Sequence, residues 1–327
     1  MEETTVWLLL NTTSSAICPL NENYKHILLP LVYSLVFLLG LPLNGAVLWL
    51  ACCRTKDWTC STIYLVNLAL ADLLYVCALP LLVINYALRD FWPFGELLCR
   101  LERYLFYANL YGSILFLTCI SVHRFLGVCY PIQFIHFRTR KLAILGTTIA
   151  WIVVAIELLP TFLYARTGTR NSRAVCYDLT SPDNFGNYFA YGITLTVTGF
   201  LLPFCIISLC CGLMIRSLIQ TDEASGVDTG LRSKAIRTIL LIFGLFVVSF
   251  LPFHITRTIY LFVRVYSIGN CSLLQRVSIS YKIWRPLVSC NSCFNPLLYF
   301  LTSNKNKTRL LHELHRDKVD PCLKGNS

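Results

Sequence analysis

Phe250-Leu251-Pro252-Phe253-His254-Ile255-Thr256-Arg257 closes an apolar run that begins near residue 235. A run of that length can cross a hydrocarbon core of about 30 Å, yet it ends on a guanidinium. Arginine at mid-bilayer costs roughly 2.5–3.5 kcal/mol on insertion scales, so it usually faces a cavity or a partner rather than lipid. Arg103 and Arg285 are placed in the same way, each inside or at the end of a long apolar stretch. No acid stands at matching depth on the same helical stripes. The partner is therefore expected to be an anion from outside the chain, a phosphorylated small molecule above all. The alternative for each arginine is snorkelling to headgroups from a lipid-facing side.

Outward from this run the pattern repeats. Seven apolar stretches cover roughly 27–53, 61–88, 97–129, 141–164, 188–215, 235–265 and 276–302. The 327 residues are 56% hydrophobic and 14% charged, with mean hydropathy +0.61, where a soluble domain carries about 25% charged residues. The expected fold is all-α, a seven-helix membrane bundle. Residues 1–26 form an outer tail, 27–302 the bundle, and 303–327 a cytoplasmic tail. Lys305, Lys307, Arg309, Leu310, Leu311 and Leu314 pattern that tail as an amphipathic helix on the inner leaflet. Cys322 is a candidate for palmitoylation there.

Glu2 and Glu3 with no early base argue against a signal peptide. Asn11 opens a glycosylation acceptor, Asn11-Thr12-Thr13, which suits an outside N-terminus. In that orientation more than half of the 28 Lys and Arg residues lie on the inner side, as the positive-inside rule expects. The remaining bases still outnumber the outer acids, and a basic outer face steers anions inward. The plainer reading of any single loop arginine is a solvated side chain.

Four cysteines fall on the outer side, Cys18, Cys99, Cys176 and Cys271. An even number in an oxidising compartment implies two bridges, with three pairings open. Cys52, Cys53, Cys119, Cys129, Cys205, Cys210, Cys211, Cys290 and Cys293 lie within spans and read as packed thiols.

Asn44, Asp72, Asn109, Ser113, Asn291 and Asn295 stand deep within apolar helices. Asn109/Ser113 and Asn291/Asn295 have i,i+4 spacing and share a face. Unpartnered polar groups in hydrocarbon cost several kcal/mol, so these residues should meet around Asp72. One carboxylate with amide and hydroxyl oxygens is a hard ligand set for a small cation such as sodium; the alternative is an ion-free hydrogen-bonded lock between helices. Arg103 and Arg285 each precede their polar pair by six and ten residues, which puts both at one height, roughly 9–15 Å above it.

Three stripes are basic at their outer ends. Arg103, Tyr107 and Tyr111 form one, and Phe246, Phe250, His254 and Arg257 the second. Lys282, Arg285, Ser289, Ser292, Pro296 and Tyr299 form the third. Arginine suits phosphate because its planar fork donates two parallel hydrogen bonds. Tyr107 is placed to pack beside a ring; His254 is either a contact or a packed helical histidine.

These residues identify the chain as similar to rhodopsin-like G-protein-coupled receptors over nearly its whole length. The marks are Asn44, the run Asn67 to Asp72, the Cys99/Cys176 pair, His123-Arg124-Phe125, Trp151, Pro203, Phe250-Leu251-Pro252 and Asn295-Pro296-Leu297-Leu298-Tyr299. Within that group it resembles purinergic-type receptors for extracellular nucleotides, on Trp92-Pro93-Phe94-Gly95, Ser113 to Arg124, Phe253 to Thr258, and Tyr281-Lys282 ahead of Arg285-Pro286. Phe106-Tyr107-Ala108-Asn109 and Val175-Cys176-Tyr177-Asp178-Leu179 look most like the branch that prefers UDP.

The resemblance implies ligand contacts at Arg103, Tyr107, His254, Arg257, Lys282 and Arg285, with Asp178 either touching ligand or pairing with a base. It implies that Arg124 meets the G protein, that Asp72, Asn109, Ser113, Asn291 and Asn295 form a sodium-type site, and that Cys99 bonds Cys176, leaving Cys18 for Cys271. The implied partners are an extracellular nucleotide, a heterotrimeric G protein of the Gq type acting through phospholipase C and calcium, and plasma-membrane lipid. No nucleic acid is implied, and no cofactor beyond the candidate sodium ion.

Several residues depart from the wider group. His123 stands where an acid is usual, Phe250 where tryptophan is common, Asn295 where many nucleotide receptors have aspartate, and Cys211 where tyrosine helps hold the active state. A same-fold receptor for a dicarboxylate or acidic lipid is the nearest rival. A transporter would be expected to show a repeat or a broken-helix pair. An enzyme is excluded: Asp72 has no facing carboxylate or histidine, and no nucleophile motif occurs.

Overall fold

The computed structural model describes residues 23–302 apart from 56, 131–138, 171, 182–183, 226–228 and 267–269. Asn11, Cys18, Cys322 and the expected tail helix lie outside the described residues. Helix α1 (Lys25–Trp49) runs on into a π-helical turn, Leu50–Arg54. The second crossing is two helices, α2 (Cys60–Val76) and α3 (Leu79–Ala87). Helices α4 (Gly95–Cys129) and α5 (Arg140–Tyr164) make the third and fourth. A hairpin comes next, β1 (Thr167–Arg170) and β2 (Arg173–Cys176), antiparallel with Thr167 opposite Cys176.

The fifth crossing is α6 (Phe185–Thr196), a π-helical turn at Val197–Leu201, and α7 (Leu202–Ser225). Helix α8 (Thr229–Tyr266) is the sixth, and α9 (Cys271–Val288) with α10 (Asn291–Thr302) the seventh. Among the described residues, six crossings are long and apolar enough to span a membrane. The seventh carries Arg276, Lys282 and Arg285 and is interrupted at Ser289 and Cys290.

Local chemistry places the boundaries. The side chains of Thr59, Thr139 and Asn270 accept from the backbone N–H groups of Thr62, Leu142 and Leu273, satisfying orphan donors of three helix starts. The stretch expected as one helix over 61–88 breaks at Cys77–Ala78 because Pro80, in the first turn of α3, has no N–H to continue the ladder. The stretch expected over 276–302 likewise begins earlier and breaks ahead of α10.

Helix α4 is the axis of the bundle. It packs against α2, α5 and α7 and is buried from Cys99 through Ser121 on most faces. Leu38, Ile156, Leu159, Leu209 and Val248 point outward and are exposed, forming an apolar belt of the kind lipid covers. Cys210 and Cys211 are buried, but Cys52, Cys53 and Cys205 are exposed. Those three stand on outward faces, which corrects the expectation of packed thiols.

One end of the bundle is closed by loops. Cys99 at the start of α4 is bonded to Cys176 at the end of β2. Trp92 is buried; its indole N–H donates to Gly95 O at 2.7 Å and its backbone N–H to Ala174 O at 2.9 Å. This pins the turn before α4 to the hairpin, with Gly95 at φ +75°, a conformation glycine adopts without strain. Cys271 is also disulfide-bonded.

Candidate functional site

A cavity of about 140 Å³ lies at the disulfide-bonded end, lined by Arg103 of α4, Lys282 and Arg285 of α9, Asp178 after β2, Tyr86 of α3 and Tyr260 of α8. Arg103 and Arg285 are therefore at one height, as their spacing required. Both are buried, and neither faces lipid.

The two guanidiniums differ in what holds them. Arg103 donates from Nε to Tyr177 O at 3.0 Å and from Nη2 to Cys176 O at 3.3 Å. Its Nη1 is 2.7 Å from Glu102 Oε2 and 3.8 Å from Asp178 Oδ1. It clamps α4 to the disulfide loop. Arg285 forms an ion pair with Asp178 and lies over the Phe106 ring at 4.7 Å. Its Nε and Nη2 are buried without a hydrogen-bond partner. Buried donors are seldom left that way, so Arg285 has capacity for an anion and Arg103 has little.

Acids off the helical stripes thus meet two of the arginines, and of the two roles expected for Asp178 the pairing with a base is the one found. Glu102 neighbours Arg103 in sequence, and adjacent helical residues project about 100° apart, so stripes exclude the pair; the long side chains nevertheless meet. Asp178 reaches Arg285 from a loop, about which helix periodicity says nothing.

Asp178 is about a quarter exposed (26%). Burial raises its pKa, but Arg285 first, then Arg103 and Lys282, outweigh that and hold the carboxyl below its ordinary range. A depressed carboxylate stabilises the fold above its unfolded pKa near 4, and that contribution is lost as pH falls through the lower folded value. The difference in thermal midpoint between the native chain and Asp178→Asn is therefore expected to be flat from about pH 5 to 8 and to shrink only in stronger acid. A difference that already shrinks between pH 8 and 6 would contradict this assignment.

Arg257 is elsewhere. It is fully buried and does not line the cavity. Its Nη1 donates to Gly192 O at 3.3 Å and Thr196 Oγ1 at 3.2 Å, its Nη2 to Tyr188 Oη at 2.9 Å, and the guanidinium lies 5.5 Å from the Tyr107 ring centre. These partners come from α6, just before the π-helical turn, and from α4. A Cβ on Gly192 would stand 2.8 Å from Leu261 Cδ1, so a larger residue there would displace the Leu261 side chain. Tyr107 and His254 do not line the cavity either. Tyr107 stacks on Tyr111 as well as facing Arg257, and His254 stacks on Phe200 at 4.0 Å with planes 8° apart. The expected convergence of three stripes holds for the arginines of two; the sixth crossing lines the cavity with Tyr260 and Arg264, while its stripe residues His254 and Arg257 do not line it.

The polar residues do meet around Asp72. Its Oδ1 accepts from Asn109 Nδ2 at 2.6 Å and Ser292 Oγ at 2.8 Å, and its Oδ2 from Asn295 Nδ2 at 2.9 Å. Asn295 Nδ2 also donates to Ser113 Oγ at 3.4 Å, and Ser292 Oγ lies 3.3 Å from Asn291 Oδ1. Both carboxylate oxygens thus receive protein donors. That is the hydrogen-bonded lock between helices, and the oxygens of Ser113, Ser292, Asn109 and Asn291 stand in the same cluster. Asn44 Nδ2 donates to Ser292 O at 2.7 Å, extending the lock to α1, and Trp151 Nε1 donates to Asn67 Oδ1 at 2.9 Å, a separate tie between α5 and α2.

Residues 43–299 match the family described as 7 transmembrane receptor (rhodopsin family). The chain is 50% identical over 319 residues to purinoceptor 3 of Gallus gallus, covering 95% of this chain and 96% of that one. It is 48% identical over 299 residues to purinoceptor 6 of Rattus norvegicus and 47% to that of Homo sapiens, covering 91% of each chain in both cases. The chain belongs to the rhodopsin family of seven-transmembrane receptors, among the purinoceptors. It is a multi-pass membrane receptor and not an enzyme.

In this receptor Arg124 lies near the opposite end of α4 from the cavity, half-buried, with the Cys211 thiol as an electrostatic neighbour. The adjacent His123 packs on Tyr64 at 6.2 Å, so no carboxylate on the neighbouring residue restrains the arginine. Sequence reasoning overlooked Glu102 as a partner, the Tyr188–Gly192–Thr196 set that holds Arg257, and Ser292 as a hydrogen-bond donor to Asp72. Only Ser292 left a usable signal, its place on the Lys282–Tyr299 stripe.

Proposed function

We propose that this receptor is activated by an extracellular nucleotide whose phosphates bind Arg285, with Lys282 beside it, after displacing Asp178. The observation that carries this is the buried Arg285 guanidinium with unpartnered Nε and Nη2 at a solvent-reachable cavity. The names of the purinoceptor relatives support the ligand class. The cavity, about 140 Å³, is smaller than the roughly 300–1,000 Å³ of ordinary ligand sites. Binding therefore requires an opening, and the tethered Asp178 carboxylate is the group a phosphate can replace like for like.

In this reading the cavity end and the N-terminus are outside the cell and Arg124 is inside. Phosphate on Arg285 draws on α9, and displacement of Asp178 breaks the ion pair between α9 and the loop, which Arg103 and the disulfide still hold to α4. The ligand shifts the balance of states only by its difference in affinity between them. Helix α8 carries Pro252, which interrupts the backbone ladder and lets its inner half swing. A heterotrimeric G protein then docks at Arg124, with phospholipase C and calcium as the expected output, and UDP as the expected best agonist.

The test is a dose–response panel on the expressed receptor with nucleoside di- and triphosphates, dicarboxylates and an acidic lipid, read as calcium release. Response to nucleotides alone supports the proposal. Response only to a dicarboxylate or the lipid overturns it.

A further inference from the structure

We infer that Glu102 sets how many phosphates the site accepts, favouring a nucleoside diphosphate over the triphosphate; this rests on the nucleotide reading above. Glu102 has a fully buried side chain on α4, with Oε2 2.7 Å from Arg103 Nη1. Its Oε1 receives no hydrogen bond. Arg103 commits its remaining nitrogens to the Tyr177 and Cys176 carbonyls. Its charge is therefore balanced inside the protein, independently of Asp178 at 3.8 Å.

When a ligand releases Asp178 from Arg285, the Glu102 carboxylate stays. It is a buried negative charge paired with Arg103 of the cavity lining, held in low dielectric where it is screened little. An anion seated on Arg285 therefore gains little further attraction from Arg103. A diphosphate matches Arg285 with Lys282 beside it. A third phosphate adds negative charge that must lie either toward the balanced Arg103–Glu102 pair or back toward the tethered Asp178. Without Glu102, Arg103 would present a net positive charge to that extra phosphate.

The test compares UDP and UTP on the full-length receptor in cells, wild type against Glu102→Gln. The ratio of the two potencies is taken on the same cells, which cancels differences in surface number. Glu102→Gln is expected to shift the ratio toward UTP by roughly tenfold, the order of effect one unit charge has on another across a partly buried site at an effective dielectric near 20. A shift that is equal for both ligands, the mark of a purely structural role, overturns the inference. If Glu102→Gln does not reach the surface, Glu102→Asp serves, since it draws the carboxylate back from Arg103. It should move the ratio the same way by less, and an unchanged ratio there overturns the inference as well. A wild-type receptor silent to both ligands and to the other nucleotides of the panel defeats the nucleotide reading itself, whereas a responsive receptor with an unmoved ratio defeats only the role of Glu102.

Discussion

Arg285→Ala is expected to raise the nucleotide concentration needed for a calcium response by about 100-fold or more while the receptor still reaches the cell surface. Two charge-assisted hydrogen bonds to phosphate, each netting about 1.5–3 kcal/mol, are lost. Folding is hurt less, because the ion pair broken is with Asp178, which lies in a loop and is partly exposed, so the stranded carboxylate can turn to water. Lysine at 285 should recover part of the response, since it restores the charge without the fork. Unchanged nucleotide potency in Arg285→Ala would remove the central contact and with it the proposed site.

Arg257→Ala should fail differently. Arg257 is fully buried and held by Tyr188, Thr196, Gly192 O and the Tyr107 ring. Alanine deletes those bonds, leaves Tyr188 and Thr196 short of a partner and opens a cavity between α6 and α8. The combined loss is about 3 kcal/mol or more. The expected result is a thermal midpoint lowered by several degrees in detergent and fewer receptors at the surface, with activity lost in proportion. A variant with native surface number and midpoint that had lost only nucleotide potency would instead place Arg257 at the ligand, as the sequence stripe expected. The pair of alanine variants thus separates an arginine that binds from one that builds.

His254 and Tyr107 divide in the same way. Each stands on a stripe with an arginine, and stripe membership fixes only the side of a helix, not its depth relative to a neighbour. His254 ends up stacked on Phe200 because the π-helical turn at Val197–Leu201 adds a residue to the fifth crossing, and an added residue rotates the helix beyond it. No apolar periodicity announces such a turn.

Much was settled by the chain alone. Apolar runs of bilayer length require helices, because lipid offers no partner for backbone polar groups, and polar residues deep within those runs had to find one another. That is why the Asp72 cluster and the common height of Arg103 and Arg285 could be read from spacing. Charge pairing across loops was decided only by tertiary structure. Glu102 and Asp178 reach their arginines through side-chain length and a disulfide-tethered loop, neither of which leaves a period in the sequence. The division of labour among the three arginines comes from that pairing: the guanidinium with the most unused donors is the one at α9, and only packing reveals which one that is.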